Sequence, residues 1–179
     1  MNVLLITGHT YQAVSVFNKM ITEELKNEIP DLKISNLAEL YPNYQIDITA
    51  EREKLLWADT IIIQSPVFWY SMTSLIMRYL EEVFEHGWAY GSRGNALKGK
   101  RIIISLTAGT PKSEYLDGSA GLTVDDVTKP LKVIFEFCKM NYLGTVFSGG
   151  MFNTGDGSAD TESAAQKVRT HVSEILRKL

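Results

Sequence analysis

Short apolar runs recur along the chain, each followed by a longer segment whose apolar positions repeat at helical spacing. That alternation belongs to βαβ units with parallel strands rather than to hairpins. The first run predicts a strand over Asn2 to Thr7, and helical spacing follows from about Ser15 to Glu28. The helix should stop near Pro30, because proline disfavours helix in the residue ahead of it. A second strand is predicted over Lys33 to Leu37, then a loop through Tyr41-Pro42-Asn43 and a charged helix from Thr49 to Trp57. The third strand, Thr60 to Gln64, carries Ile61-Ile62-Ile63 without interruption, as a strand covered on both faces does, so it should be central. Leu75, Ile76, Tyr79, Leu80, Val83 and Phe84 set out the next helix, and a Gly-rich loop leads to a fourth strand over Arg101 to Leu106. A helix from about Asp125 to Lys139, a fifth strand over Leu143 to Ser148 and an amphipathic helix from Thr161 to Lys178 complete the pattern.

Five strands alternating with helices through right-handed crossovers give an α/β fold, three layers around a doubly wound parallel sheet in the order 2-1-3-4-5. No repeat, linker or low-complexity tract divides the 179 residues, so one domain spanning 1–179 is expected. In such a sheet, ligands bind beyond the carboxyl ends of the strands where the strand order reverses. Here that means the loops after the first, third and fourth strands.

Composition narrows the function classes. Charged residues make up 22% and the net charge is −3, which leaves no basic footprint for nucleic acid. Met1 to Ile6 lacks the basic start and long apolar run of a signal peptide, and no stretch approaches the roughly 18 apolar residues of a membrane span, so a soluble, cytoplasmic protein is expected. Cys138 is the only cysteine, which rules out an intrachain disulfide and a multi-cysteine metal site; its place in an apolar helix pattern makes it a buried thiol. His86 lacks nearby thiolates or clustered carboxylates, so no metal is expected there. His171, on the terminal helix, is expected at a solvated surface.

The three loops hold the unusual residues. Gly8-His9-Thr10-Tyr11 runs toward Ser15 and Asn18 at a helix start, where unpaired N–H groups and the helix dipole favour an anion such as phosphate. Ser15 as a helix cap and His9 as a polar turn residue account for the same pattern without a ligand. Neither G-x-G-x-x-G nor a P-loop motif is present. Ser65-Pro66-Val67-Phe68-Trp69-Tyr70 places three aromatics after a buried strand, either as a wall for a flat ring or as core. In Thr107-Ala108-Gly109-Thr110-Pro111, Gly109 lets backbone approach a ligand closely, although an ordinary loop has the same composition.

Together with Tyr41-Pro42-x-Tyr44-x-Ile46-Asp47-Ile48, Pro66-x-x-Trp69-Tyr70-Ser71, Val83-Phe84-x-His86-Gly87-Trp88-Ala89-Tyr90-Gly91 and Leu97-x-Gly99-Lys100, these loops resemble the NAD(P)H:quinone oxidoreductase family of flavodoxin-like proteins over almost the whole chain. The similarity is densest to small bacterial members, among them ancillary oxidoreductases of glutathione-gated potassium efflux systems and general stress flavoproteins. The resemblance implies a flavodoxin-like fold holding FMN, with FAD as the alternative. It places His9, Ser15, Val16, Phe17 and Asn18 at the flavin phosphate, Pro66, Val67, Phe68 and Trp69 along the isoalloxazine, and Thr107, Ala108, Gly109 and Thr110 at a second flavin loop. Family members usually read Thr-Thr-Gly-Gly at that last loop, where this chain has Thr107-Ala108-Gly109-Thr110. Tyr115 takes the place of a family tyrosine that assists hydride transfer, or is a loop aromatic; the histidine that partners it in some members has no match here. Trp88 and Tyr90 fall to a substrate pocket reached across a homodimer interface, or to packing that interface. The implied activity is ping-pong hydride transfer from NADPH or NADH to a quinone, azo or nitro acceptor. A regulatory subunit docking peripherally on a potassium efflux transporter is the alternative, and a flavodoxin-like electron carrier a third reading.

Overall fold

The computed structural model describes residues 1–119, 121–152 and 161–179. Five strands, β1 (Val3–Thr7), β2 (Lys33–Asn36), β3 (Thr60–Pro66), β4 (Arg101–Thr107) and β5 (Asn141–Ser148), form one sheet in the order β2-β1-β3-β4-β5. Every pairing is parallel. The expected order is the observed one, with the Ile61-Ile62-Ile63 strand at the centre.

Alternation along the strands sends side chains to two apolar layers. Leu4, Ile6, Ile61, Ile63, Ile102 and Ile104 meet α3 (Ile48–Trp57), α4 (Ser74–Val83) and α6 (Val124–Phe137) through Leu55, Leu75, Tyr79 and Phe135. Val3, Leu5, Ile62 and Ile103 meet α1 (Phe17–Glu28) and α7 (Thr161–Leu176) through Phe17, Ile21, Val168 and Val172. Two short helices, α2 (Leu37–Leu40) and α5 (Lys112–Leu116), were not legible in the pattern; Leu37, read as the end of the second strand, instead opens α2 as a fully buried residue. Side-chain caps start α3 and α4 where free N–H groups need acceptors: Asp47 accepts from Ala50 N–H, and Thr73 accepts from Ile76 N–H. Thr123 and Asp126 form a reciprocal capping box on α6.

The charged helix α3 buries one of its charges. Glu51 has no exposed surface, and a buried carboxylate persists only when paired and hydrogen-bonded. Ser35 and Tyr41 hydroxyls donate to it at 2.8 Å and the Lys54 ammonium lies 2.5 Å away, which fastens α3 to the edge strand β2.

On the α1 and α7 side, the sheet turns polar toward the carboxyl ends of its strands. Gln64 and Thr107 face Asn18 of α1, while Ser105 and Ser148 face His171 of α7. His171 is therefore not a solvated residue: it is fully buried. Its helical phase explains the correction, since it lies three residues after Val168 and four before Ile175, on the stripe that faces the sheet. Cys138 is buried at the end of α6, as its apolar surroundings led us to expect. No helix among the described residues is long and apolar enough to cross a membrane.

Candidate active site

Three loops converge at the carboxyl edge of the sheet. The first leaves β1 at Gly8, which packs closely on α4: a Cβ there would sit 2.8 Å from the outer carbons of Ile76 and would require that side chain to shift. Thr73 donates to the Gly8 carbonyl at 2.5 Å while capping α4, so one side chain ties the loop to the next helix. His9 is buried, and its Nδ1 accepts from the Tyr11 N–H at 3.1 Å. Burial, then the Lys19 charge, hold its pKa below the ordinary histidine value, so the ring is neutral and its Nε2 carries the proton as a donor. A 3-10 turn over Gln12–Val14 follows, and α1 starts at Phe17 with Val16 at its cap and no side-chain cap bond. Ser15 is thus not the helix cap. With no side-chain cap among the described residues, the first-turn N–H groups of α1 are open to an external acceptor.

Asn18 is fixed in the first turn of α1. Its amide donates to Thr107 Oγ1 at 3.2 Å and accepts from Gln64 Nε2 at 3.1 Å, joining α1 to β3 and β4 beneath the loops.

The second loop begins where Val67 N–H donates to the Thr107 carbonyl at 2.7 Å. Phe68 and Ser71 then exchange two backbone hydrogen bonds around Trp69 and Tyr70, whose φ values are +50° and +61°. A two-residue turn with both central residues left-handed normally takes Asn-Gly. Side chains with a bulky Cβ in that region cost about 1–2 kcal/mol each. Trp69 stands out from the surface at the tip of this turn at 95% exposure, and Phe68 lies edge-on to His9 with ring centroids 5.5 Å apart.

The third loop is zipped to the segment after β5. Ala108 N–H donates to the Ser148 carbonyl, Gly150 N–H to that of Thr110 and Met151 N–H to that of Ala108, each at 2.9 Å. The N–H groups of Gly109 and Thr110 have no acceptor among the described residues.

Between the loops lies a cleft of about 210 Å³. Its lining brings together His9, Val16, Phe17, Asn18, Pro66, Val67, Phe68, Thr107, Ala108 and Gly109, all expected from sequence, with Val14, Met151 and Phe152 added. Nothing in the sequence marks Met151 and Phe152; only their position just past the fifth strand could have suggested them. Ser15 lines an adjoining polar hollow of about 230 Å³ with Thr7, Asn18 and Lys19, and the carboxylates of Glu23 and Glu39 border the same hollow. Trp69 and Thr110 line another of about 410 Å³ with Tyr70, Glu114 and Tyr115. Tyr115 is buried on α5 against Phe147, ring centroids 4.9 Å apart. Burial and Tyr70 push its phenol up, opposed by a hydrogen bond from Thr110. A broader hollow of about 620 Å³ runs from Tyr11 past Phe68 and Trp69 to Met72 and Met77.

Trp88 and Tyr90 line none of these spaces. Trp88 lies under the Arg52 guanidinium at 4.6 Å, and Tyr90 packs on Phe137 at the end of α6, the opposite edge of the sheet. Within one chain they do not reach the cleft.

The cleft suits a flavin mononucleotide by its donor set. Among the described residues no carboxylate lines it, its walls are apolar at Val67, Phe68 and Met151, and the Gly109 and Thr110 N–H groups have no described acceptor. At one end the start of α1 and the neutral His9 offer donors to a phosphate.

A family of proteins with the flavodoxin-like fold matches residues 1–172. The chain belongs to that family. Among flavodoxin-like relatives, it is 37% identical over 142 residues, 79% of each chain, to the glutathione-regulated potassium-efflux system ancillary protein KefF of Enterobacter sp. (strain 638). The general stress protein 14 of Treponema denticola, a structure in complex with FMN, superposes over 100% of both chains with a TM-score of 0.88 at 25% identity. A thermophilic tryptophan halogenase from Streptomycin violaceusniger matches 94% of this chain and 97% of its own with a TM-score of 0.82 at 29% identity. An NADPH-quinone reductase from P. pentosaceus shares the fold with a TM-score of 0.80 over 97% of each chain, at 20% identity. Names this varied on one flavodoxin-like frame leave the reaction to be argued from the site.

Proposed function

We propose that this chain is an FMN-dependent NAD(P)H oxidoreductase that passes two electrons to a quinone or a similar planar acceptor. One observation carries the reading: three loops meet in an apolar-walled cleft with donors at both ends and no carboxylate among its described lining residues, at the edge of the sheet where such folds bind ligands. The FMN complex of the general stress protein 14 supports it, as do the quinone reductases of the same fold. When bound, FMN supplies the redox chemistry, accepting hydride from NAD(P)H and returning two electrons to the acceptor in a ping-pong cycle.

The residues divide the work. The first turn of α1, His9 and Ser15 hold the phosphate, and Asn18 fixes that turn to β4 through Thr107. Val67, Phe68 and Trp69 would border a bound flavin, and the Gly109 and Thr110 N–H groups would donate to its polar edge. NAD(P)H and the acceptor would approach the site in turn beside the exposed Trp69. Tyr115, buried in the next hollow with a raised phenol, keeps its proton at neutral pH and is placed to donate it. The exposed Tyr11 and Trp69 beside Met72 and Met77 form an apolar shelf that a second copy would cover, bringing its own Trp88 and Tyr90 over the pocket in a homodimer.

The test is direct. The purified protein is expected to take up FMN, turn yellow and bleach anaerobically with NADPH or NADH; a protein that takes up no FMN would overturn the assignment. The 37% identity to KefF favours a second role, a subunit docked peripherally on a potassium efflux transporter. Co-purification with such a transporter, and its stimulation by a variant unable to oxidise NAD(P)H, would establish that role.

A further inference from the structure

The buried histidine on α7 touches no cleft, yet it grips the scaffold of one cleft loop. His171 Nε2 lies 2.8 Å from Ser105 Oγ in the body of β4, and its Nδ1 lies 2.8 Å from Ser148 Oγ at the end of β5. A neutral imidazole has one donor and one acceptor, and each serine hydroxyl serves as either, so both contacts are satisfied together. Ser148 is the first residue of the strip that zips to the third loop: its carbonyl holds Ala108 N–H, and Gly150 N–H holds the Thr110 carbonyl. One helical turn before His171, the Lys167 ammonium donates to the Gly150 carbonyl at 2.8 Å. Helix α7 therefore grasps the strip at two points. The strip also sits tightly, because a Cβ on Gly149 would come within 2.2 Å of Lys112 N.

We infer that His171 is a positioning residue for the cofactor: by clamping Ser148 to α7 it sets the direction in which the loop presents the Gly109 and Thr110 N–H groups to FMN. The inference rests on the cleft being the FMN site. Through Ser148 the contact reaches the loop backbone; through Ser105 it reaches only the strand. The two contacts thus have separate consequences. Burial, with Lys112 second, pushes the imidazole down to about 4, so the clamp stays neutral across the physiological range.

Side-chain amides can separate them, since an asparagine amide falls near the Nδ1 position of histidine and a glutamine amide near Nε2. FMN affinity is measured by fluorescence quenching on His171→Leu, His171→Asn, His171→Gln, Ser148→Ala and Ser105→Ala, with Tm recorded for each. His171→Leu, His171→Gln and Ser148→Ala are expected to weaken FMN binding about tenfold, the effect of one net hydrogen bond. His171→Asn and Ser105→Ala are expected to stay within about threefold of the parent, whatever their Tm. Affinities that simply track Tm across the set would overturn the inference. Amide exchange of Ala108, Gly150 and Met151 in the flavin-free protein supplies a second readout, expected to quicken in Ser148→Ala and not in Ser105→Ala. Equal exchange in the two would overturn it as well. If the parent binds no FMN, the cofactor reading fails, and the exchange measurement still decides whether His171 positions the loop.

Discussion

Acidification should cost this fold stability through the buried His171. His171 is fully buried, and burial first, Lys112 second, lower its pKa from 6.5 to about 4. The folded state resists the proton that the unfolded chain accepts below pH 6.5. Stability from the neutral ring is therefore complete above pH 6.5 and is lost as pH falls toward 4. At 1.36 kcal/mol for each factor of ten, the loss reaches about 2 kcal/mol at pH 5 and about 3 kcal/mol when complete. That is a large part of a typical total of about 5–15 kcal/mol. Urea denaturation of the flavin-free protein at pH 7.5 and at pH 5, for the parent and for His171→Asn, isolates it. His9, also held below its ordinary value, titrates in both proteins and cancels in the difference. Asp117 and Asp126 are held low by hydrogen bonds from Ser119 and Thr123 and stay ionised over this range. The parent should lose about 2 kcal/mol more than the variant between the two pH values. Equal losses would refute a buried neutral imidazole at this position.

Three further outcomes follow from the cleft. Asn18→Ala removes the donor to Thr107 and leaves the buried Gln64 amide only its longer bond to the residue-18 backbone carbonyl, so it should lower stability by about 1–2 kcal/mol in urea and weaken FMN binding as well. Trp69→Asn relieves left-handed strain at a side chain that packs on almost nothing; stability should rise by about 1 kcal/mol in urea while kcat/KM for planar acceptors falls. Tyr115→Phe keeps the contact with Phe147 and removes only the hydroxyl, so FMN affinity should hold while turnover falls about tenfold or more, measured by stopped-flow reduction with NADPH.

The layered sheet was legible because its cause is local. Uninterrupted isoleucines mark a strand covered on both sides, and 3.6-residue spacing marks the helices between. Strand order followed from chirality and so placed three loops at one edge. The cleft residues were legible mainly through resemblance, since His9, Phe68 and Gly109 taken singly are ordinary turn and core residues. What escaped was set by tertiary contact. Met151 and Phe152 enter the lining only because the strip after β5 zips to the third loop. His171 looks like a surface histidine until its phase on α7 is set against two serines that alternation turns inward. Glu51 reads as one more charge on a charged helix, and its burial depends on Ser35 and Tyr41 from other segments. Trp69 and Tyr70 give no sign of positive φ, because that strain comes from the turn they are forced to close.

The central claim is that the loops after β1, β3 and β4 make a single FMN site, and amide chemical shifts followed during titration with FMN address it residue by residue. Saturable shifts are predicted for His9, Phe17, Asn18, Val67, Phe68, Gly109 and Thr110 together, with Trp88 and Tyr90 moving only if a second copy closes over the cleft. Shifts confined to one loop, or clustered at the opposite edge of the sheet, would contradict the account.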